Sequence, residues 1–277
     1  MMTALGGLER SGDTGYKLAV VVPMYNEEAG ARRCVVGICE EFAGLDGSWF
    51  LVAVDDGSSD GTLRVLKELS RTQEALHVST MRSNRGYGAA LRRGGEEALA
   101  RGADWLLFMD SDLTNPPKHI GRFAAVIGPD VDFVKATRYR GGGRSEGVPV
   151  GRRLISEVGN VVGSWAMGLP LSDVTNGFRA IRAPIFCDMP LHEEGFALIM
   201  EEVYWAFRLG LRCIEVPTVL TTRQAGPRGS SFSYSPSVVV AYARYPALAL
   251  GERLTNFVAR RNGRSAARQA PVEDGSL

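Results

Sequence analysis

The stretch "DWLLFMDSDLTNPP", Asp104–Pro117, decides the fold. It reads as a buried strand that ends in Asp-Ser-Asp, followed by a helix start with proline in its first turn, where no amide donor is lost. Residues at i and i+2 share a side of an extended chain, so Asp110 and Asp112 can face one cavity. Two close anions repel unless something positive lies between them. Mg²⁺ or Mn²⁺ suits such a pair, because each takes oxygen ligands and shares its shell with substrate phosphates. The competing reading is that the carboxylates only cap the next helix.

Working outward, the same pattern recurs. "KLAVVVPMYNEE" opens with a strand, Leu18 to Val22, ended by Pro23, and a helix follows from Glu28 to Phe42. "WFLVAVDDGSSDGT" is a second strand running into Asp55, Asp56 and Gly57, with a helix from Thr62 to Leu69. "ALHVSTM", "WLLFMD" and "DFVKATRY" are further strands. Strands alternating with helices predict an α/β fold: a single Rossmann-like domain with a mostly parallel central sheet flanked by helices. Ligands bind at the carboxyl ends of strands in such sheets. Asp55, Asp56, Asp110 and Asp112 are therefore expected on one edge. Further helices are expected from Leu154 to Met167 and from Glu193 to Leu209.

The 277 residues carry a formal charge of +1, which predicts no strongly charged partner, and no nucleic-acid module is recognisable. Cys34, Cys39, Cys187 and Cys213 form no CxxC pair and read as reduced thiols of a cytoplasmic protein. The N-terminus lacks a signal-peptide pattern, and residues 1–17 are expected to be flexible. No uninterrupted apolar stretch is long enough to span a bilayer. Residues 236–262 read as an amphipathic helical segment, either interfacial or packed on the domain or on a second subunit. Residues 263–277 read as a disordered tail.

Neither GxGxxG nor GxxxxGK[ST] is present. "NRGYGAALRRG" sets glycines before a helix, where backbone amides can approach phosphate. Asp55 and Asp56 can accept hydrogen bonds from a nucleobase or ribose, or simply open a turn. "RYRGGGRSEGVPVGRR" carries Arg138, Arg152 and Arg153. It is either a phosphate-binding loop or a solvated basic one. Of Glu201 and Glu202, one is expected to face the active cavity and the other solvent.

Six segments in order, "VVPMYNEE" (21–28), "VDDGSSDGT" (54–62), "RSNRGYGAAL" (82–91), "MDSDLTNPP" (109–117), "DVTNGFRAIR" (173–182) and "EEVYWAFRLGLRCIEVP" (201–217), resemble the inverting family 2 glycosyltransferases, which have the GT-A fold. Within these, the chain is most similar to the dolichol- or polyprenyl-phosphate mannose or hexose synthases. The resemblance covers residues 18–235. It implies a GDP- or UDP-hexose donor, a polyprenyl phosphate acceptor, Mg²⁺ or Mn²⁺, and a cytoplasmic protein that is peripheral on the cytoplasmic face of the membrane or forms a homo-oligomer. It places Pro23, Tyr25, Glu27, Asp55, Asp56, Asn84, Gly86 and Asp110 about the nucleotide sugar. Asp110 and Asp112 become the DxD metal pair, and Arg138, Arg152 and Arg153 the acceptor-phosphate clamp. Asp112, Arg179, Glu201 and Arg223 fall near the sugar and diphosphate as catalytic residues. Thr114 stands where the family often has glutamine, and "TTRQAGPRGSSFSYSP" lacks the family's lysine. Two alternatives stay open. One is a hydroxyl acceptor, which demands a carboxylate base such as Asp173 or Glu201. The other is a non-catalytic nucleotide-sugar-binding protein.

Overall fold

The computed structural model describes residues 15–45, 47–148, 150–222 and 236–268. In chain order the elements are β1 (Lys17–Met24), α1 (Glu28–Phe42), β2 (Ser48–Asp55), α2 (Thr62–Leu69), β3 (Leu76–Thr80), α3 (Tyr87–Ala100), β4 (Trp105–Phe108), α4 (Ile120–Ala124), β5 (Phe133–Thr137), β6 (Arg144–Ser145), α5 (Val150–Met167), β7 (Arg179–Arg182), α6 (Ala183–Asp188), α7 (Leu198–Arg208), β8 (Cys213–Pro217), β9 (Val219–Leu220) and α8 (Pro236–Arg268). A seven-stranded sheet has the order β3-β2-β1-β4-β7-β5-β8. All of its pairings are parallel except those of β7, which runs against both β4 and β5.

The apolar runs are strands because alternate residues serve opposite faces. Ala19 and Val21 of β1 join Leu106 and Phe108 of β4 in a core closed by α3, α6 and α7. Leu18, Val20 and Val22 join Trp105 and Leu107 in a second core under α1, α2 and α4. All four β4 residues are buried, as a strand covered on both sides requires. Gly94 and Gly95 let α3 lie close to the sheet. A Cβ on Gly94 would stand 2.4 Å from Val21 Cγ1, and one on Gly95 2.7 Å from Phe186. Each glycine costs the helix about 1 kcal/mol relative to alanine, and the close approach that it permits offsets this.

The sheet's order reverses at β1, with β2 on one side and β4 on the other, and a crevice opens at their carboxyl ends. Met24 pairs with Asp55 and Val21 with Phe108, which brings the β2 and β4 acids to that crevice.

Several boundaries differ from expectation; α5, for one, begins at Val150 and not at Leu154. Pro23 does not end β1; it is buried inside the strand, opposite Val54. The helix expected from Glu193 starts at Leu198, because the carbonyls before it are engaged elsewhere. Glu194 O accepts the Gly88 amide at 2.7 Å, and Glu193 O accepts Arg92 Nη1 at 2.6 Å. The C-terminal segment is one helix, α8, that packs on α5 and α7 and continues past residue 262 to Arg268.

Candidate active site

At the end of β2 the two acids divide the work. Asp56 accepts the Arg85 and Gly86 amides, one on each oxygen, both at 2.8 Å. Burial raises its pKa, and those two amides pull it back. Gly57, at φ +65°, closes this clamp, since a Cβ there would meet the Ser83 backbone at 2.4 Å. Asp56 thus holds the loop before α3, with both oxygens engaged. Asp55 is 1% exposed; among the described residues its Oδ1 has no partner, and only Thr80 Oγ1 donates to Oδ2, at 3.4 Å. Of the two, Asp55 is the carboxylate left with acceptor capacity. Tyr25 and Asn84 are exposed at the same rim, while Pro23 is buried. The Glu27 amide donates to Thr62 Oγ1 at 2.8 Å. Gly86, at φ +99°, approaches Glu194 O so closely that no side chain fits.

Asp110 and Asp112 follow β4. Burial, and then the Asp112 charge, raise the Asp110 pKa to about 6, against the pull of Tyr87 and Arg179. Asp112 Oδ1 accepts the Thr114 amide at 3.0 Å and Thr114 Oγ1 at 2.9 Å. Thr114 therefore braces an acid of the pair. Leu113 between them has φ +58°, rare for a branched residue and held here by burial of its side chain. Among the described residues no group of three or more His, Cys, Asp or Glu is arranged to hold a metal. Two mutually repelling carboxylates are the donor set of a Mg²⁺ or Mn²⁺ site that keeps its remaining positions for water or phosphate.

Several expected site residues have other tasks. The Arg179 side chain is fully buried and does not reach the cavity. Its Nε and Nη2 donate to Glu202, its Nη1 to Gly177 O at 2.7 Å, and its guanidinium lies 4.5 Å from the Phe108 ring centroid. Neither acid of α7 faces cavity or solvent. Glu202 pairs with Arg179, and Glu201 accepts the backbone amides of His192 and Glu193 at 2.9–3.0 Å. Arg138 does line the cavity, but its guanidinium is paired bidentately with Asp173, at 2.7 and 2.8 Å, and donates to Thr175 Oγ1. Arg153 is exposed on α5. The Arg152 side chain and Arg223 lie outside the described residues.

A cavity of about 650 Å³ opens from Asp110. Its near end is polar: Tyr87, Thr114, Asn115, Arg138, Thr175 and Asn176. Its far end is apolar and runs between α5, α7 and α8 past Val162, Ala166, Ile199, Met200, Val239 and Leu250. Tyr87 stacks on Phe196 at 4.5 Å. Sequence reasoning missed Tyr87 and Asn115 and gave Asn176 no role, although each lies inside a quoted motif. It also missed Lys135, fully buried on β5, whose Nζ donates to Val174 O at 3.1 Å and Asn176 O at 2.6 Å and so anchors the loop at the polar end.

A carboxylate pair at the switch point of such a sheet, beside an acid with spare acceptor capacity, belongs to the glycosyltransferases of the GT-A kind. The chain is a member of the Glycosyl transferase family 2, whose profile matches residues 19–188, and it is a glycosyltransferase. It is 28% identical over 211 residues to a polyprenol monophosphomannose synthase of Mycolicibacterium smegmatis, covering 75% of this chain and 78% of that one. It is 27% identical over 241 residues to an undecaprenyl-phosphate mannosyltransferase of Micrococcus luteus, covering 86% and 97%. To a dolichol-phosphate mannosyltransferase of Pyrococcus furiosus it is 32% identical over 187 residues, 67% of this chain and 51% of that protein. In fold it resembles glucosyl-3-phosphoglycerate synthase from Mycobacterium tuberculosis, solved with Mn²⁺, UDP and phosphoglyceric acid. That match has a TM-score of 0.56 at 21% identity, covering 86% of this chain and 78% of the other.

Proposed function

We propose that the protein transfers a hexose, with inversion, from a GDP- or UDP-hexose to a polyprenyl phosphate at the cytoplasmic face of a membrane. The observation that carries this reading is the cavity that starts at Asp110 and continues as an apolar channel between α5, α7 and α8. A polar head beside the reacting carbon and a hydrocarbon tail in the channel match a lipid phosphate. The relatives named for polyprenol, undecaprenyl-phosphate and dolichol-phosphate substrates support it.

The site's carboxylates favour a phosphate over a hydroxyl nucleophile. Asp173 is neutralised by Arg138 and Glu202 by Arg179, while Glu201 is engaged with two amides. A hydroxyl acceptor needs a general base; a phosphate oxygen is already anionic. Asp55, with its unpaired Oδ1, accepts from the ribose or base. Asp110 and Asp112 would hold Mg²⁺ or Mn²⁺, which when bound offsets the charge that develops on the leaving diphosphate. Arg138, held in place by Asp173 and lining the cavity, is the arginine placed to meet the acceptor phosphate.

Leu154, Val158, Val161 and Trp165 are exposed at helical spacing along α5, and Leu254, Phe257 and Val258 are exposed on α8. No helix among the described residues is long and apolar enough to cross a membrane. This exposed face suits contact with the lipid surface where the acceptor resides.

The test is direct. Purified protein with Mg²⁺ or Mn²⁺ is offered GDP- and UDP-hexoses together with polyprenyl phosphate or the corresponding polyprenol. Labelled sugar is expected in the lipid fraction only with the phosphate. Transfer to the alcohol alone, or to neither, refutes the assignment.

A further inference from the structure

Two buried polar atoms in the described structure lack a hydrogen-bond partner at one place. Asn115 is 2% exposed and Asn176 5%, and both line the cavity beside Asp110. Asn115 Oδ1 and Asn176 Nδ2 are unpaired. An unmet buried donor or acceptor is costly, and proteins leave few of them without a reason. The Asn176 amide is held in one orientation. Its Oδ1 accepts the Phe178 amide at 3.0 Å, and its backbone oxygen accepts Lys135 Nζ at 2.6 Å. The donor face, Nδ2, is thereby left for whatever enters. Gly177 keeps the neighbouring space open, since a Cβ there would lie 3.2 Å from the Tyr87 hydroxyl and 3.3 Å from Asp110 Oδ2.

The chemistry of these atoms selects the ligand. Asn176 Nδ2 asks for an acceptor, and Asn115 Oδ1 asks for a donor. An ionised phosphate only accepts, so it meets the first demand and repels the second. A hydrocarbon chain meets neither. A sugar hydroxyl both donates and accepts. We infer that Asn115 and Asn176 form the subsite that reads the hydroxyls of the donor hexose, with Tyr87 completing its wall. This rests on the glycosyl-transfer reading above and adds the residues that set sugar choice. Sugar recognition by unmet buried groups is discriminating, because an analogue that lacks the right hydroxyl leaves those groups unpaired.

The experiment compares Asn115→Ala and Asn176→Ala with wild type by calorimetry in Mn²⁺. The titrants are UDP and GDP alone and the matching UDP- and GDP-hexoses. Each variant is expected to bind the free nucleotide within about twofold of wild type and the preferred nucleotide sugar about tenfold more weakly, the loss of one hydrogen bond. Asn176→Ala also removes the acceptor of the Phe178 amide. If that variant fails to fold, Asn115→Ala carries the test alone. Equal weakening of nucleotide and nucleotide sugar overturns the inference, as does no weakening of either. So does a raised acceptor requirement with unchanged nucleotide-sugar affinity. Wild-type protein that binds neither nucleotide nor nucleotide sugar overturns the transferase reading itself, and the subsite with it.

Discussion

Replacing Arg179 by methionine separates a catalytic arginine from a positioning one. The guanidinium is wholly buried, gives two hydrogen bonds to the equally buried Glu202 and one to Gly177 O, and packs over Phe108. Arg179→Met leaves the Glu202 carboxylate charged and unpaired in the core. Breaking a buried pair from one side costs about 3–5 kcal/mol, a fall in Tm on the order of 10 °C for a domain of this size. Removing both partners is different in kind. Arg179→Met with Glu202→Leu exchanges the pair for apolar groups of similar volume, and stability should return to within about 1 kcal/mol of wild type. Urea unfolding followed by circular dichroism measures both. The restored double variant should still turn over poorly, because Asp110 has lost the guanidinium that lowers its pKa and Gly177 has lost its anchor. A single variant as stable as wild type but unable to bind nucleotide sugar would refute this, and would return Arg179 to the substrate. A double variant as unstable as the single would refute the electrostatic account.

Three further outcomes are expected. Asp112→Asn removes the charge that helps raise Asp110, so the Asp110 carboxyl should titrate nearer its ordinary value while Mn²⁺ binding, followed by electron paramagnetic resonance, weakens about tenfold or more; unchanged binding would remove Asp112 from the ligand set. Lys135 is lowered from 10.5 to about 7 by burial and by Arg179. Between those values the unfolded chain holds a proton that the native state does not, so stability from this group is complete above pH 10.5 and is lost as pH falls through 7, on the order of a few kcal/mol in all. Lys135→Met should flatten that slope in urea midpoints measured across the range, and an unaltered slope would assign it to other groups. Trp165→Asp alters a residue that is 65% exposed, so stability should stay within about 0.5 kcal/mol of wild type, while flotation with anionic lipid vesicles falls; flotation equal to wild type would exclude α5 from the lipid contact.

The sheet was legible because its strands are apolar runs and its acids stand where those runs stop. What could not be read is pairing at a distance. β7 is four residues long with arginine at each end, which does not look like a central strand. It becomes one because Glu202, on a helix 23 residues later, neutralises Arg179, and Asp132 takes Arg182. The glycine-rich basic loop reads as free charge from its own sequence, yet Asp173, 35 residues away, engages Arg138. Asn115 and Asn176 stand before proline and glycine, where asparagine ordinarily signals a turn. Only the folded chain shows that one amide is fixed by Phe178 and Lys135 and that its remaining donor faces a cavity. Asp55 and Asp56 are adjacent and chemically alike, and only the approach of the Ser83–Gly86 loop distinguishes them.

The helices that form the channel also form the exposed apolar face, and this constrains how an acceptor arrives. Val162 and Trp165 of α5 line the cavity and are 54% and 65% exposed, and Val239 of α8 is likewise both wall and surface. The channel is therefore thin-walled on that side. On the proposed reading, a ligand with a long hydrocarbon chain need not leave a lipid phase to use it, because its tail can stay among the apolar groups of α5 and α8 while its head lies toward Asp110. A soluble sugar nucleotide has no such requirement and meets the polar rim at Asp55 and the Asp56-held loop. Under the proposed function, two substrates of opposite solubility would thus have separate approaches to the same carboxylate. This is the arrangement expected when a reaction joins a water-borne donor to a membrane-borne acceptor, with Asp110 at the polar end of the cavity and the apolar channel leading away from it.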